Sequence, residues 1–292
     1  MPELTALPTD GQLGATSSET DLSQLFRDVP EDAWLWANTA GGQKFAGVLP
    51  RLPDENVQRR FTGKAGDETL VEGHMLARAF KDLYREHVGA FTESTRVLDY
   101  GCGWGRITRF FLRDVARGNL LGIDCNEDLI DFCRESNPWS RFELNDPLPP
   151  TDLPGGHFDL LFSYSVFSHF REDVHLAWLD ELRRVVKPGG LLILTVRPRN
   201  FISYCAKLTA ESAPQAALVD LFPDPDQALD DYDHGRFVYV PYRISGYGEW
   251  WGEACISSAY VEREWPPRGF EVLDFVADPQ RFKQHLVVLR AS

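Results

Sequence analysis

The stretch VLDYGCGWGRITRF, Val97 to Phe110, places Gly101, Gly103 and Gly105 directly after a short apolar run that begins at Thr95. Glycines suit a tight strand-to-helix turn because they tolerate positive φ, and because a ligand can approach the main chain where no Cβ stands in the way. In an open α/β sheet the first such turn lies at the carboxyl ends of the strands, where ligands bind.

Around this turn the chain alternates. TRVLDY reads as a strand, followed by a helix with Ile107, Phe110, Phe111 and Val115 on one face, then the strand LLGID and a helix starting after Asn126. RFEL and FDLLFS read as further strands. A helix with Trp178, Leu179, Leu182, Val185 and Val186 inward is expected to run to KPGG, where Pro188 stops it and Gly189 or Gly190 caps it before the strand LLILTV. Strands separated by single helices imply right-handed βαβ units and a parallel sheet with helices on both faces. After a helix through SSAYVEREW, FEVLDFV and HLVVLR are joined by a short connection and must pair antiparallel. The expected fold class is α/β: a doubly wound, mostly parallel seven-stranded sheet with an antiparallel last strand, an N-terminal helical extension and an inserted cap after the fifth strand.

The pattern divides the chain into segments. Residues 1–20, rich in Ser, Thr, Gly and Pro, read as a disordered tail. Residues 21–94 read as a packed extension anchored by Phe26, Trp34, Trp36, Phe45 and Phe61, closing on a helix that carries Met75, Leu76, Ala79, Phe80, Leu83 and Val88 at helical spacing. Residues 95–198 form the core. Residues 199–256 far exceed the usual connection of about 4 to 6 residues and read as a cap, in which the acidic run Asp220 to Asp233 is a solvated loop. Residues 257–292 supply the last helix and hairpin.

Composition excludes several classes of partner. A net charge of -14 disfavours nucleic acid, and the nearest basic features are the pairs Arg59–Arg60 and Arg183–Arg184 rather than tracts. No apolar run approaches the roughly 18 residues of a membrane span, and the N-terminus lacks the basic start and apolar centre of a secretion signal. A soluble, cytoplasmic protein with no membrane partner is expected. The five cysteines form no CxxC pair, which argues against a disulfide framework and a structural zinc.

The glycine turn does not fit a phosphate ligand well. Against the dinucleotide fingerprint GxGxxG, the third glycine comes one residue early and Arg106 takes its place; no Gly-Lys-Ser/Thr follows for a P-loop. A carboxylate at Asp99 would repel a pyrophosphate and suit an ammonium or sulfonium group. Asp124, closing the second strand, can accept hydrogen bonds from a ribose diol. The ligand reads as a cationic nucleoside. A nicotinamide-dependent, NAD(P)-using oxidoreductase and a non-catalytic binding protein are the alternatives.

From about Thr95 to Val196 the sequence resembles the class I S-adenosylmethionine-dependent methyltransferases, through VLDYGCGWG, LLGIDCNEDLI, FELND, FDLLFSYSVFSHF and LDELRRVVKPGGLLILTV in that order. The segment LPDENVQRRFTGKAGDETLVEG resembles that of a bacterial subgroup and suggests small-molecule or glycan acceptors. The resemblance implies S-adenosyl-L-methionine as cofactor and S-adenosyl-L-homocysteine as product. It implies that Gly101, Gly103 and Gly105 pass along the methionine portion, with Asp99 near its amino group and Tyr100 beside it. Asp124 would take the ribose hydroxyls and Cys125 lie along the adenine, with Asn145 or Asp146 facing the adenine amino group. Ser163 and Tyr164 would line the cofactor beside the methyl. Trp104 either walls the cofactor or packs.

A hydroxyl acceptor needs a base, and His169, after the fourth strand, is the candidate; its alternative is to cap or pack the following helix. His74, His87 and His175 fall on predicted helices as surface or packing groups. The run FVYVPYRISGYGEWWGE is dense in aromatic and polar groups, so Tyr242, Arg243, Tyr247 and Trp251 are candidates for a flat or sugar-like acceptor, or for anchoring the cap. No carboxylate cluster follows the fourth strand, and no metal is expected. The expected activity is methyl transfer to a hydroxyl, in preference to an amine, of a small molecule or glycan.

Overall fold

The computed structural model describes residues 4–212, 216–242 and 248–292. Residues 4–20 carry a 3-10 turn, Leu4–Ala6, and a short helix α1 (Asp10–Gly14) closed by a capping box between Thr9 and Gln12. Helices α2 (Leu22–Phe26), α3 (Glu31–Asn38) and α4 (Glu55–Thr62) follow, then the long helix α5 (Asp67–His87) that the periodicity predicts. Phe26 packs against Trp34 and Phe45 at ring separations of 5.0 and 6.0 Å, all three without exposed surface. Phe61, expected among these anchors, is 48% exposed and lies outside that core.

Charge also holds this extension in place. Lys81 on α5 is fully buried between Glu31 Oε1 and Asp114 Oδ2, each 2.9 Å away. Glu31 also takes His74 Nε2 at 2.9 Å and Arg113 Nη2 at 3.0 Å. Burial pushes the Glu31 carboxyl up, but the His74 hydrogen bond and the Lys81 and Arg113 charges outweigh it and hold the group far below the usual carboxylate range. Its stabilising contribution is therefore present above the ordinary value of 4.5 and lost as pH falls below it. Glu31→Ala, which leaves buried cations short of a partner, is expected to cost about 3–5 kcal/mol in a denaturant titration near neutral pH.

Strands β1 (Val97–Tyr100), β2 (Leu120–Asp124) and β3 (Arg141–Leu144) run parallel, with Val97 opposite Leu120 and Leu121 opposite Arg141. Between β1 and β2 the expected amphipathic helix is replaced by turns around a 3-10 segment, Thr108–Phe111. The hydrogen bonds mix two registers: Arg109 N reaches Gly105 O at 3.1 Å, whereas Phe110 N reaches Ile107 O at 3.0 Å. The reason lies in the arginines. Arg106, Arg109 and Arg113 are buried together with the apolar residues. Arg109 donates to Asn38 Oδ1 at 3.0 Å and to Pro50 O at 2.8 Å, and Arg113 donates to Val29 O. The extension thus covers the side that a surface helix would give to water. Helix α6 (Glu127–Ser136) starts where expected, with Asn126 Oδ1 accepting from Leu129 N.

Strand β4 (Phe158–Ser163) precedes α7 (Glu172–Val185) and β5 (Val186–Val196). The helix stops before KPGG rather than at it, because a proline disfavours helical backbone at the residue before it. Val186 to Gly190 already belong to the strand, with Gly189 at φ +79. Helix α8 (Arg199–Cys205), a 3-10 turn (Ala216–Leu218), α9 (Pro225–Asp233), and strands β6 (Val238–Pro241) and β7 (Gly252–Cys255) fill the insertion. Most of the acidic run is thus helix rather than loop: after residues 220–223, Asp224 caps α9, Pro225 occupies its first turn, and Arg199 and Arg236 pair with its carboxylates. Helix α10 (Ser258–Glu264), β8 (Phe270–Val276) and β9 (His285–Ala291) end the chain.

The seven-stranded sheet has the order β3-β2-β1-β4-β5-β9-β8, with β9 antiparallel to β5 and to β8, while β6 and β7 form a separate antiparallel pair. This is the predicted doubly wound α/β class. Two compact units make up the chain: residues up to Pro147 with Phe158–Leu160, and Leu148–His157 with Leu161–Ser292. Among the described residues no helix is long and apolar enough to cross a membrane.

Candidate active site

The glycine turn is tied to the neighbouring strand from its first residue. Gly101 N and Cys102 N both donate to Ile123 O, at 2.8 and 3.0 Å. Gly103, at φ +54, then turns its N–H toward Asp124 and donates to Oδ2 at 2.8 Å, while Asn126 N donates to Oδ1 at 2.9 Å. A Cβ built on Gly103 would meet nothing within 4 Å, so open space lies over the turn. Gly105, at φ +77, instead faces Cys133 and Phe142 at 3.5 and 3.6 Å, a close-packed position. A carboxylate offers about four lone-pair sites, so Asp124 keeps accepting capacity beyond its backbone bonds. Burial pushes this carboxyl up, and the backbone hydrogen bonds of Asn126 and Gly103 oppose the shift.

The other predicted residues of this region divide by environment. Asp99 is 2% exposed, accepts from Thr108 Oγ1 at 2.6 Å, and is pushed up to about 7 by burial. Tyr100 and Trp104 are buried within the protein. Cys125, next to Asp124, is half-buried, with its thiol pushed up to about 11 by burial and the neighbouring carboxylate. Asn145 N donates to Asp124 O at 3.1 Å, and the buried Asn145 Oδ1 has no hydrogen-bond partner. Asp146 is exposed. The turn therefore brings Asp99, Gly103, Asp124 and Asn145 to the ends of adjacent strands.

In the second unit the chain leaves β4 through Ser163, whose buried Oγ has no partner, and the half-buried Tyr164. Ser165 follows at φ +63, a conformation costly for a non-glycine residue. Two bonds hold it: Ser165 N donates to Thr195 Oγ1 at 2.7 Å, and Gln284 Nε2 donates to Ser165 Oγ at 2.8 Å. The next residues run beside β7, with Ala254 N donating to Ser168 O, Gly252 N to His169 O, and Arg171 N to Trp250 O. Farther along the same edge, Arg197, just past β5, bridges to Cys255 and accepts from Ile256 N at 3.4 Å, while β6 takes the opposite edge. One edge of strand β7 is thus stitched to the segments that follow β4 and β5.

This stitching surrounds His169. Its Nδ1 lies 2.8 Å from Gly252 O; a carbonyl only accepts, so the proton of the neutral ring sits on Nδ1 and the lone pair on Nε2. The ring stacks on Trp251 at 4.7 Å and lies 6.2 Å from Tyr242. Glu253, 2% exposed on its side chain, approaches Nδ1 to 3.6 Å through Oε1. Arg197 grips the same carboxylate with Nε to Oε2 at 2.9 Å and Nη2 to Oε1 at 3.2 Å, and Tyr242 OH donates to Oε1. Burial lowers the His169 pKa, and the Glu253 charge opposes the shift. His169 is therefore neutral at neutral pH.

Of the predicted acceptor residues, Tyr242 and Trp251 gather around His169, and Arg243 and Tyr247 lie outside the described residues. The sequence reading assigns no role beside His169 to Arg197 or Glu253. The signal that could find Arg197 is its position directly after LLILTV, where a charge at a strand's carboxyl end faces the usual ligand side. His74 is a buried partner of Glu31, and His175 is buried among Phe167, Phe237 and Trp265. Among the described residues, no group of three or more His, Cys, Asp or Glu is arranged to hold a metal ion.

Residues 97–190 match a family model described as "Methyltransferase domain". A fatty-acid O-methyltransferase of Mycolicibacterium smegmatis is 31% identical over 151 residues, covering 50% of this chain and 54% of that protein. A trans-aconitate 2-methyltransferase of Sinorhizobium medicae is 31% identical over 124 residues, covering 42% and 46%. The chain spans about half the length of these curated relatives. The PH0226 protein of Pyrococcus horikoshii OT3 shares the fold, with a TM-score of 0.50 at 19% identity over 74% of this chain and 90% of that one. The likeness to methyltransferases thus lies in residues 97–190, the stretch that carries the glycine turn and strands β1 to β4.

Proposed function

We propose that this chain transfers the methyl group of S-adenosylmethionine to a hydroxyl of a small molecule or glycan in the cytoplasm, without a metal, using His169 as general base. The observation that carries the reading is the His169 ring, held through Nδ1 by Gly252 O with the Nε2 lone pair left over. When bound, the cofactor supplies a sulfonium methyl that is already electrophilic, so the protein has to align the acceptor and accept its proton.

The donor set fits such a cofactor. The open space over Gly103 admits a ligand against the backbone, Asp124 has lone pairs for a ribose diol, and Asn145 Oδ1 lacks a partner that an adenine amino group would supply. Tyr100, Gly101, Trp104, Gly105, Cys125 and Asp146 complete this binding region in the proposal, with Ser163 and Tyr164 beside the methyl. The insertion, residues 199–256, would serve as the acceptor cap, with Tyr242, Arg243, Tyr247 and Trp251 lining it.

Asp99 makes binding proton-linked. With its pKa at about 7, a substantial part of Asp99 is protonated near neutrality, and an ammonium group beside it would draw the proton off. Binding of S-adenosylhomocysteine is expected to release up to about one proton and to weaken as pH falls below about 7, approaching tenfold per unit. Calorimetric titrations in buffers of different ionisation enthalpy read this directly. Asp99→Asn should abolish the proton release.

The hydroxyl is favoured over a carboxylate acceptor by the same geometry. A carboxylate needs no base, and Arg197, the cation described beside His169, is already paired with Glu253. Incubation with S-adenosylmethionine and a panel of phenols, sugars, carboxylic acids and amines is expected to yield S-adenosylhomocysteine with hydroxyl acceptors. Turnover confined to carboxylic acids or amines would overturn the reading.

A further inference from the structure

We propose that Glu253, delivered by β7 of the insertion, is a positioning residue for the His169 base: its carboxylate faces the protonated edge of the ring and balances the charge that forms when Nε2 takes the acceptor proton. The inference rests on the reading of His169 as base. It makes the inserted segment part of the proton-transfer machinery as well as a cover for the acceptor.

The geometry leaves Glu253 one orientation. Arg197 holds both carboxylate oxygens with Nε and Nη2, a planar fork that fixes the plane of the group. Tyr242 OH donates to Oε1, the oxygen that lies 3.6 Å from His169 Nδ1. That nitrogen donates to the carbonyl of Gly252, the residue before Glu253, so one turn of backbone sets both the tautomer and the neighbouring charge. In the transfer step the acceptor O–H bond breaks and its proton goes to Nε2. The oxygen electron pair forms the new O–CH3 bond while the C–S pair leaves with sulfur. His169 then bears a positive charge beside Glu253, and it returns the proton to water.

Among the described residues, the charged and titratable groups that meet His169 come from each neighbouring segment: Glu253 from β7, Arg197 after β5, and Tyr242 after β6. Glu253 favours the imidazolium and Arg197 opposes it. Near Glu253, burial pushes the Cys205 thiol up to about 12 and raises the Cys255 thiol and the Tyr242 hydroxyl well above their ordinary values, so all three stay neutral.

Changes at the carboxylate and at its phenol partner predict opposite effects. Glu253→Gln keeps the shape and removes the charge, and should lower the His169 pKa by about half a unit to one unit. Tyr242→Phe removes a donor from Oε1, leaves more charge facing the ring, and should raise it. Nitrogen-15 NMR of histidine-labelled full-length protein measures both, with the His169 signals identified from their loss in His169→Ala. The wild-type ring should show the proton on Nδ1 above its midpoint. A proton on Nε2, unchanged midpoints, or shifts of the same sign would overturn the proposal. S-adenosylhomocysteine affinity should stay at the wild-type value in both variants, which separates this effect from misfolding. The base reading is tested apart from it: near-normal turnover of His169→Ala on a hydroxyl acceptor would remove the base, whereas lost turnover with unmoved midpoints would remove only Glu253.

Discussion

Asp124→Ala is expected to weaken S-adenosylhomocysteine binding by about 100-fold or more, read as a loss of calorimetric affinity. Two roles meet in this residue. Its carboxylate already takes the N–H groups of Gly103 and Asn126, and so fixes the glycine turn against the start of α6. Its remaining lone pairs are the natural acceptors for two ribose hydroxyls, and hydrogen bonds to a charged group contribute about 1.5–3 kcal/mol each. Loss of two such bonds is equivalent to a factor of about 100 to 10,000. Asp124→Asn, which keeps one acceptor oxygen, should fall between wild type and alanine.

The second large effect is expected at His169. His169→Ala should lower kcat on a hydroxyl acceptor by about 100-fold to 10,000-fold, the usual range for a general base. Cofactor affinity should hold, because His169 belongs to the network of β7 and the segment after β4 rather than to the glycine turn. Wild-type turnover should fall only on the acid side of neutrality, since burial lowers the His169 pKa and the ring must be neutral to act. A loss of rate confined to alkaline pH would point to another group.

The seven strands of the main sheet were readable because most are short apolar runs closed by turn residues, and such runs depend on local order alone; β6 and β7, inside the insertion, were not read. The start of α6 was readable for the same reason, since Asn126 is a local cap. The segment after the glycines was not. Arg106, Arg109 and Arg113 look like the wet face of a helix until the carbonyls and carboxylates of the N-terminal extension, far away in sequence, are brought to them. The acidic run of the insertion misled in the opposite direction, because its carboxylates decorate a capped helix whose Ala228 and Tyr232 are buried.

The candidate site divides in the same way. The glycines, Asp99 and Asp124 lie within one strand-turn-strand unit, where spacing alone carries the chemistry. His169 could be named because it follows a strand end. Its partners could not, because Arg197 and Glu253 are joined only when β7 is laid along the segments after β4 and β5. Nothing in the spacing of those residues announces that register.

The central claim is that the glycine turn and Asp124 bind a cationic nucleoside cofactor rather than a dinucleotide. Calorimetric titration of the full chain with S-adenosylhomocysteine, with NAD in parallel, tests it most directly. Saturable one-to-one binding of S-adenosylhomocysteine and no heat from NAD is the predicted result; binding of NAD, or of neither ligand, would contradict it.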